Sequence, residues 1–251
     1  MTAINPVDVL NHMNCGEFLV MQKATGGADT KTWKVMVDQG FAALRVFHPE
    51  QAEQFRFELQ AMNLASAAGV RVPDLLMTSV FRGHPCMLIE WIDGVSMMEA
   101  CETMEILKKL ATSFGKLHRR LHEDTMRQDE TCLLHMDYHP LNVLVEDEKI
   151  SAVIDWTNSE WGDPRRDLAR TLSILICSPI VDRSDRHFAF GLRRLARYYL
   201  KGYGQVNSLK PYLREAAQHL EEELDYHIRE NGLVEPKHSR RIIARWLRFN
   251  S

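Results

Sequence analysis

Two kinds of apolar spacing divide this chain. Near the N-terminus, Asn5-Pro6 has the form of a helix cap followed by proline at the first helical position, which predicts a short helix to about His12. Three short apolar runs follow, Phe18–Lys23, Thr32–Val37 and Ala42–Phe47, and they read as strands. The clusters Gly26-Gly27-Ala28-Asp29 and Asp38-Gln39-Gly40 between them are turn-formers. From Pro49 to about Ala68 the spacing becomes helical: Phe55, Leu59, Met62 and Ala65 share one face, and Gly69 supplies the stop. Strands at Leu75–Phe81 and Cys86–Trp91 flank the turn Arg82-Gly83-His84-Pro85. The expected product is a small antiparallel sheet carrying one helix.

Beyond Ile92-Asp93-Gly94 helices dominate. Thr103–Glu123 is strongly amphipathic, with Ile106, Leu107, Leu110, Phe114, Leu117 and Leu121 on one stripe. The runs Leu133–His135, Val143–Val145 and Ile150–Ile154 read as short strands, the first two bracketing a polar loop. From Pro164 onward the expectation is helical: Arg166–Cys177, Arg186–Leu200, Leu209–Arg229 and Ser239–Phe249. Strands with one helix, then mostly helices, predict an α+β fold of two lobes, residues 1–91 and 92–251.

A formal charge of −3 lacks the basic excess of a dedicated nucleic-acid binder. The five cysteines are scattered singly, which fits a reducing compartment better than a disulfide framework or thiolate zinc site. The first residues have no secretory pattern, and the most apolar stretch, Ser173–Val181, is too short to span a bilayer. These features predict a cytoplasmic protein without a membrane partner, monomeric or homodimeric.

The chemistry is concentrated in His135-Met136-Asp137-Tyr138-His139-Pro140-Leu141-Asn142 and in Ile154-Asp155-Trp156, polar loops set after apolar strands. Phosphoryl transfer needs a carboxylate to orient and deprotonate the attacking hydroxyl, and oxygen ligands for a magnesium ion between the nucleotide phosphates. Asp137, Asn142 and Asp155 supply that set in order. A zinc site on His135, Asp137 and His139 leaves Asn142 and Asp155-Trp156 without a role. His118 and His122, one helical turn apart with no third ligand nearby in sequence, read as surface or packing residues.

His135-x-Asp137-x-x-x-x-Asn142 is similar to the catalytic loop of protein kinases, and Ile154-Asp155-Trp156 resembles their Asp-Phe-Gly segment. His139 after Tyr138, Trp156 after Asp155, and Trp161-Gly162-Asp163-Pro164-Arg165-Arg166-Asp167-Leu168-Ala169 resemble the aminoglycoside phosphotransferase and choline kinase group, over about residues 18–180. The resemblance implies a protein-kinase-like fold with ATP or GTP and Mg2+ in the cleft. It implies Asp137 as base, Asn142 and Asp155 as metal ligands, and Asp167, with His135, as support for the catalytic loop. It further implies Arg45 on nucleotide phosphates, oriented by Glu58, and a hinge over Met87–Ile92 whose backbone, at Glu90 and Ile92, meets the base. Gly26-Gly27 takes the place of a phosphate-covering turn.

The acceptor is expected to be a small, hydroxylated and amine-bearing molecule, with Glu160 and Asp163 as its candidate carboxylates. A choline-, homoserine- or fructosamine-type acceptor is the alternative within enzymes, and a catalytically silent nucleotide-binding regulator the alternative outside them. The acids Glu215, Glu221, Glu222, Glu223, Asp225 and Glu230 read as the solvated face of a late helix.

Overall fold

The first helix forms as its cap dictates. In the computed structural model, which describes residues 4–23, 30–38, 40–177, 186–231 and 237–248, Asn5 Oδ1 accepts the Val7 N–H at 3.0 Å and opens α1 (Pro6–Met13). The strands β1 (Phe18–Lys23), β2 (Lys31–Val37), β3 (Gly40–Val46), β4 (Leu75–Phe81) and β5 (His84–Glu90) make one antiparallel sheet in the order β1-β2-β3-β5-β4. The glycine pair 26–27 lies outside the described residues.

The central strand β3 shows how the sheet aims its chemistry. Alternate side chains point to opposite faces. Ala42, Leu44 and Val46 join the apolar cluster holding Val9 and Leu10 of α1, whereas Ala43 and Phe47 join the cluster under α2 (Ala52–Ala67). Arg45, between Ala43 and Phe47 in this alternation, therefore faces α2. That helix buries Phe55, Glu58, Ala61, Met62 and Ala65 on one stripe, so Glu58 meets Arg45 inside the lobe.

The helical lobe is organised by α4 (Met104–Asp124), capped by Thr103 Oγ1 accepting from Ile106 N at 3.2 Å. It packs on α6 (Arg186–Tyr203) at backbone distance. A Cβ on Gly115 would lie 2.1 Å from Tyr199 O, and one on Gly202 would lie 2.1 Å from Thr112 O. Beneath them run β7 (Cys132–Leu134), paired with β10 (Glu160–Gly162), and the sheet β6 (Val95–Ser96), β8 (Val143–Glu146), β9 (Lys149–Val153). A short α3 (Met97–Ala100) follows β6, and α5 (Pro164–Cys177), α7 (Lys210–Asn231) and α8 (Lys237–Trp246) complete the described helices. The loop between β7 and β8 and the loop between β9 and β10 thus emerge from neighbouring strands.

The apolar core does not stop between the lobes. One cluster runs from Phe47, Phe55 and Ile89 through Phe114 and Trp156 to Leu220 and Trp246. The backbone is also stitched across, Val153 N–H donating to Arg71 O at 2.8 Å, and within the first lobe Glu90 accepts from Arg71 and from Asp74 N. Among the described residues no helix is long and apolar enough to cross a membrane.

The glycine contact between α4 and α6 generates a prediction. Gly115→Ala puts a methyl group into the Tyr199 carbonyl, and overpacking of this kind costs about 1–3 kcal/mol. Urea unfolding of the purified protein measures it. A variant as stable as the parent would show that the helices do not approach this closely.

Candidate active site

The catalytic-loop candidates are placed by a buried carboxylate. Strand β7 ends at Leu134, one residue before its expected end, because Asp167 takes the next two backbone N–H groups. His135 N donates to Asp167 Oδ2 at 2.6 Å and Met136 N to Oδ1 at 2.9 Å. Held in this way, Met136 adopts φ +61°, a conformation costly for a side chain with a Cβ. Immediately afterwards the chain turns Asp137 toward the cleft.

Asp167 is wholly buried and accepts two further hydrogen bonds, from His118 Nε2 at 2.9 Å and His122 Nε2 at 3.2 Å. The other ring nitrogens accept from tyrosine hydroxyls, His118 Nδ1 from Tyr199 at 2.7 Å and His122 Nδ1 from Tyr203 at 2.8 Å. Burial holds His118 neutral, a donor to Asp167 on one side and an acceptor from Tyr199 on the other. Both histidines are buried packing residues, not surface ones, and the expectation is corrected in one respect: a third polar group, Asp167, is present. These atoms have the spacing of a metal site, but every one of them is engaged in a hydrogen bond. Burial pushes the Asp167 carboxyl up, yet the His118 and His122 rings that donate to it hold it well below the usual range.

His135 fixes the loop from within. Its Nε2 donates to Ile154 O at 3.2 Å and its Nδ1 accepts from Asp137 N at 3.3 Å, so neither nitrogen is left to bind zinc. Asn142 Nδ2 donates to Asp137 Oδ2 at 3.0 Å and to Asp137 O at 3.1 Å, which turns its amide oxygen away from Asp137. His139 Nε2 lies 3.3 Å from Asp137 Oδ1. Burial raises the Asp137 carboxyl, but the His139 contact and the charges of His135 and Arg170 together outweigh it and hold the group below the usual carboxylate range.

On the facing loop Asp155 sits at φ +61°, with its side chain 40% exposed. Arg45 donates to Glu58 through Nη1, and through Nη2 reaches Thr157 Oγ1 at 2.8 Å and Asp155 Oδ1 at 3.4 Å. Thr157 Oγ1 also lies 2.7 Å from Asp155 Oδ1 and 3.1 Å from Glu58 Oε2. Burial, with the Asp155 charge behind it, raises the Glu58 carboxyl against the opposing pull of Arg45. Pairing the buried Glu58 with a guanidinium offsets much of the cost of taking both charges out of water. The expected Arg45–Glu58 contact is present; Thr157 was not anticipated. Its signal is a hydroxyl two residues after Asp155, which only the fold brings to Arg45.

Two cavities meet these loops. The first, about 320 Å³, is lined by Ala43, Arg45, Met62, Ile89, Ile92 and Asp155 among others. Glu90 also borders it, but its carboxylate accepts from Arg71 and Asp74 N, and its main-chain N–H donates to Asp74 O at 2.8 Å. The second, about 260 Å³, begins at Met136, next to Asp137, and is walled by Glu160, Arg166, Arg170, Tyr212, Glu215 and Glu223.

The acceptor candidates separate here. Glu160 lines the second cavity and pairs with Arg166, whereas Asp163 does not line it. The Asp163 carboxylate is gripped by Arg165 and by the Tyr212 hydroxyl at 2.7 Å, chiefly the Arg165 bonds bringing it to about 2. Of the acids expected on a solvated helix face, Glu215 and Glu223 line the cavity, while Glu221 and Asp225 pair with Arg240. Glu215 and Glu223 lie two turns apart on α7, a spacing that sequence shares with any solvated face.

All the metal-ligand candidates are hard oxygen donors. The Asp155 carboxylate and the Asn142 amide oxygen suit Mg2+, which favours oxygen ligands in a partly hydrated shell.

The comparisons agree with this architecture. A model of the phosphotransferase enzyme family matches residues 20–126 and 123–215. No curated protein matches the sequence. Among solved structures, a thermostable mutant of aminoglycoside phosphotransferase APH(4)-Ia, in ternary complex with AMP-PNP and hygromycin B, is 13% identical with a TM-score of 0.71, covering 97% of this chain and 98% of that one. ADP-bound aminoglycoside phosphotransferase APH(2'')-Ib is 13% identical with a TM-score of 0.58, covering 98% and 96%. The streptomycin–ATP–APH(2'')-IIa complex is 14% identical with a TM-score of 0.55, covering 91% of each chain. At these identities the likeness establishes the two-lobed fold.

The buried histidines give the site a pH dependence. Burial lowers His118 from an ordinary 6.5 to about 4, and burial lowers His135 in the same direction. An unfolded chain then binds protons that the folded one refuses, so this contribution to stability is complete above pH 6.5 and is lost as pH falls toward 4. Thermal unfolding followed at half-unit pH steps should show the midpoint falling over that window. A midpoint constant from about pH 7 to 4.5 would mean that these histidines are not buried in neutral form.

Proposed function

We propose, from the premise that the chain belongs to the phosphotransferase enzyme family, that it is a small-molecule kinase moving the γ-phosphoryl group of ATP or GTP to an acceptor hydroxyl. The observation that carries this reading is the position of Asp137, Asn142 and Asp155 on two adjacent loops between two cavities, one ending at Arg45 and the other beginning at Met136. The first cavity suits a nucleotide: apolar side chains for a base, the main-chain carbonyl of Glu90 and the main chain of Ile92 for its edge, and Arg45 for phosphate oxygens. Residues 1–91 then form the nucleotide lobe and 92–251 the catalytic and acceptor lobe.

Asp137 receives the proton of the acceptor hydroxyl. The hydroxyl oxygen forms a bond to the γ-phosphorus, the bond from that phosphorus to the bridging oxygen breaks, and the nucleoside diphosphate departs with the electron pair. A carboxylate already ionised near neutrality is suited to orienting the hydroxyl and taking the proton late. Asn142 and Asp155 would hold Mg2+, which would neutralise charge between the nucleotide phosphates. Arg45 positions the same phosphates, with Glu58 and Thr157 fixing the direction of its guanidinium.

The acceptor is a small, amine-bearing alcohol that enters through the second cavity, with Glu160 as the first carboxylate it meets. Asp163, engaged by Arg165 and Tyr212, orders the cavity wall instead.

Asp137→Ala should lower turnover by about 10²–10⁴-fold, the usual weight of a positioned base, with little change in nucleotide affinity. Coupled detection of diphosphate release together with fluorescent-nucleotide binding tests both halves. Parent-like turnover would sink the assignment. Separately, Glu160→Ala should raise the acceptor's KM more than the nucleotide's; equal shifts would remove Glu160 from the acceptor site.

A further inference from the structure

The turn that follows β9 is fixed at three points. Trp156 is buried, with its Nε1 donating to Val153 O at 3.1 Å, and Ser159 N–H donates to Trp156 O at 3.1 Å. Gln54 of α2 donates to Thr157 O at 3.1 Å. The main chain of Thr157 is therefore held from the first lobe, and its hydroxyl comes to lie 2.7 Å from Asp155 Oδ1.

Asp155 itself lines the first cavity and is partly exposed. A carboxylate in such a place can turn to offer a cation either oxygen or both. Two donors limit that freedom, and they meet the same atom: Thr157 Oγ1 at 2.7 Å and Arg45 Nη2 at 3.4 Å both reach Oδ1. Among the described residues none donates to Oδ2. The arginine stands closer to the hydroxyl, at 2.8 Å, than to the carboxylate. Of the hydroxyl's two acidic neighbours, Asp155 is nearer than Glu58, at 2.7 Å against 3.1 Å. The hydroxyl thus accepts from a guanidinium and donates onward to Asp155, and each bond polarises the next. Without it, Arg45 Nη2 is left with Asp155 Oδ1 and can close on it as an ion pair that a metal must break.

We propose that Thr157 is a positioning residue for the metal: its hydroxyl holds Asp155 by Oδ1 and takes up Arg45 Nη2, which leaves Oδ2 to Mg2+. This rests on the kinase reading and deepens it, because it assigns a part in metal binding to a side chain that touches neither metal nor nucleotide. Mg2+ demands near-ideal geometry and is usually held by one or two carboxylates with several waters, so a carboxylate secured by one oxygen suits it. Partners of this kind, which orient a ligand from behind, typically carry 10–100-fold of metal affinity.

Binding of a fluorescent ATP analogue to the full chain, measured in EDTA and across a Mg2+ titration, tests this without turnover. Thr157→Val and Thr157→Ala remove the hydroxyl, Thr157→Ser keeps it, and thermal unfolding confirms that each variant is folded. The valine and alanine variants should raise the half-saturating Mg2+ by about 10–100-fold. Affinity in EDTA should change little, since Arg45 keeps its pairing with the buried Glu58. The serine variant should restore most of the parent's magnesium response. A parent-like Mg2+ requirement without the hydroxyl, a serine variant no better than alanine, or a defect confined to binding in EDTA overturns the proposal. Nucleotide binding by the parent that is indifferent both to Mg2+ and to Asp155→Asn overturns the kinase reading instead.

Discussion

A carboxylate with no exposure to water, Asp167, anchors the catalytic loop by accepting two backbone N–H groups and two imidazole N–H groups at once. Such a group is tolerated in the interior only when its oxygens are fully met, and here they are met from two places in the chain, helix α4 and the loop after β7. The same four bonds end β7, hold Met136 in a left-handed conformation and aim Asp137. They also tie the loop to α4, and through the tyrosine hydroxyls to α6. The close glycine contacts of those two helices are what bring the tyrosines within reach of the histidines.

A second network plays the matching part across the cleft. Arg45 and Glu58 are set on facing surfaces by strand alternation and by a helical stripe, and Thr157 joins them to Asp155. A single hydroxyl cannot donate to two carboxylates together. The proton of Thr157 therefore lies toward either Glu58 or Asp155. Gln54 adds a bond from α2 to the Thr157 carbonyl at 3.1 Å, so the loop carrying Asp155 is held by its main chain as well.

Much of this was legible in the sequence, for identifiable reasons. Strand β1 and strand β4 were expected at their observed limits, because alternation and flanking turns mark such edges clearly. Asp137, Asn142 and Asp155 stood out since loop, spacing and following strand all agreed. The two- and three-residue strands β6 and β10 carry too few positions to show a period. His118 and His122 were misjudged because their third partner lies some 45 residues away along the chain and is brought in only by α5. Asp163 and Glu160 look alike in sequence; only the placement of Arg165 and Tyr212 separates them. Arg170 gave no signal, since an arginine on a helix is ordinarily solvated.

The bonds between Arg71, Glu90, Asp74 and Val153 have a consequence for motion. The segment leading from α2 into β4 is bonded to β9 of the helical lobe by Arg71 O, and to the link between the lobes by its guanidinium. Separating the lobes beside this link therefore requires the Val153–Arg71 hydrogen bond to break, a main-chain pairing that no side-chain substitution removes.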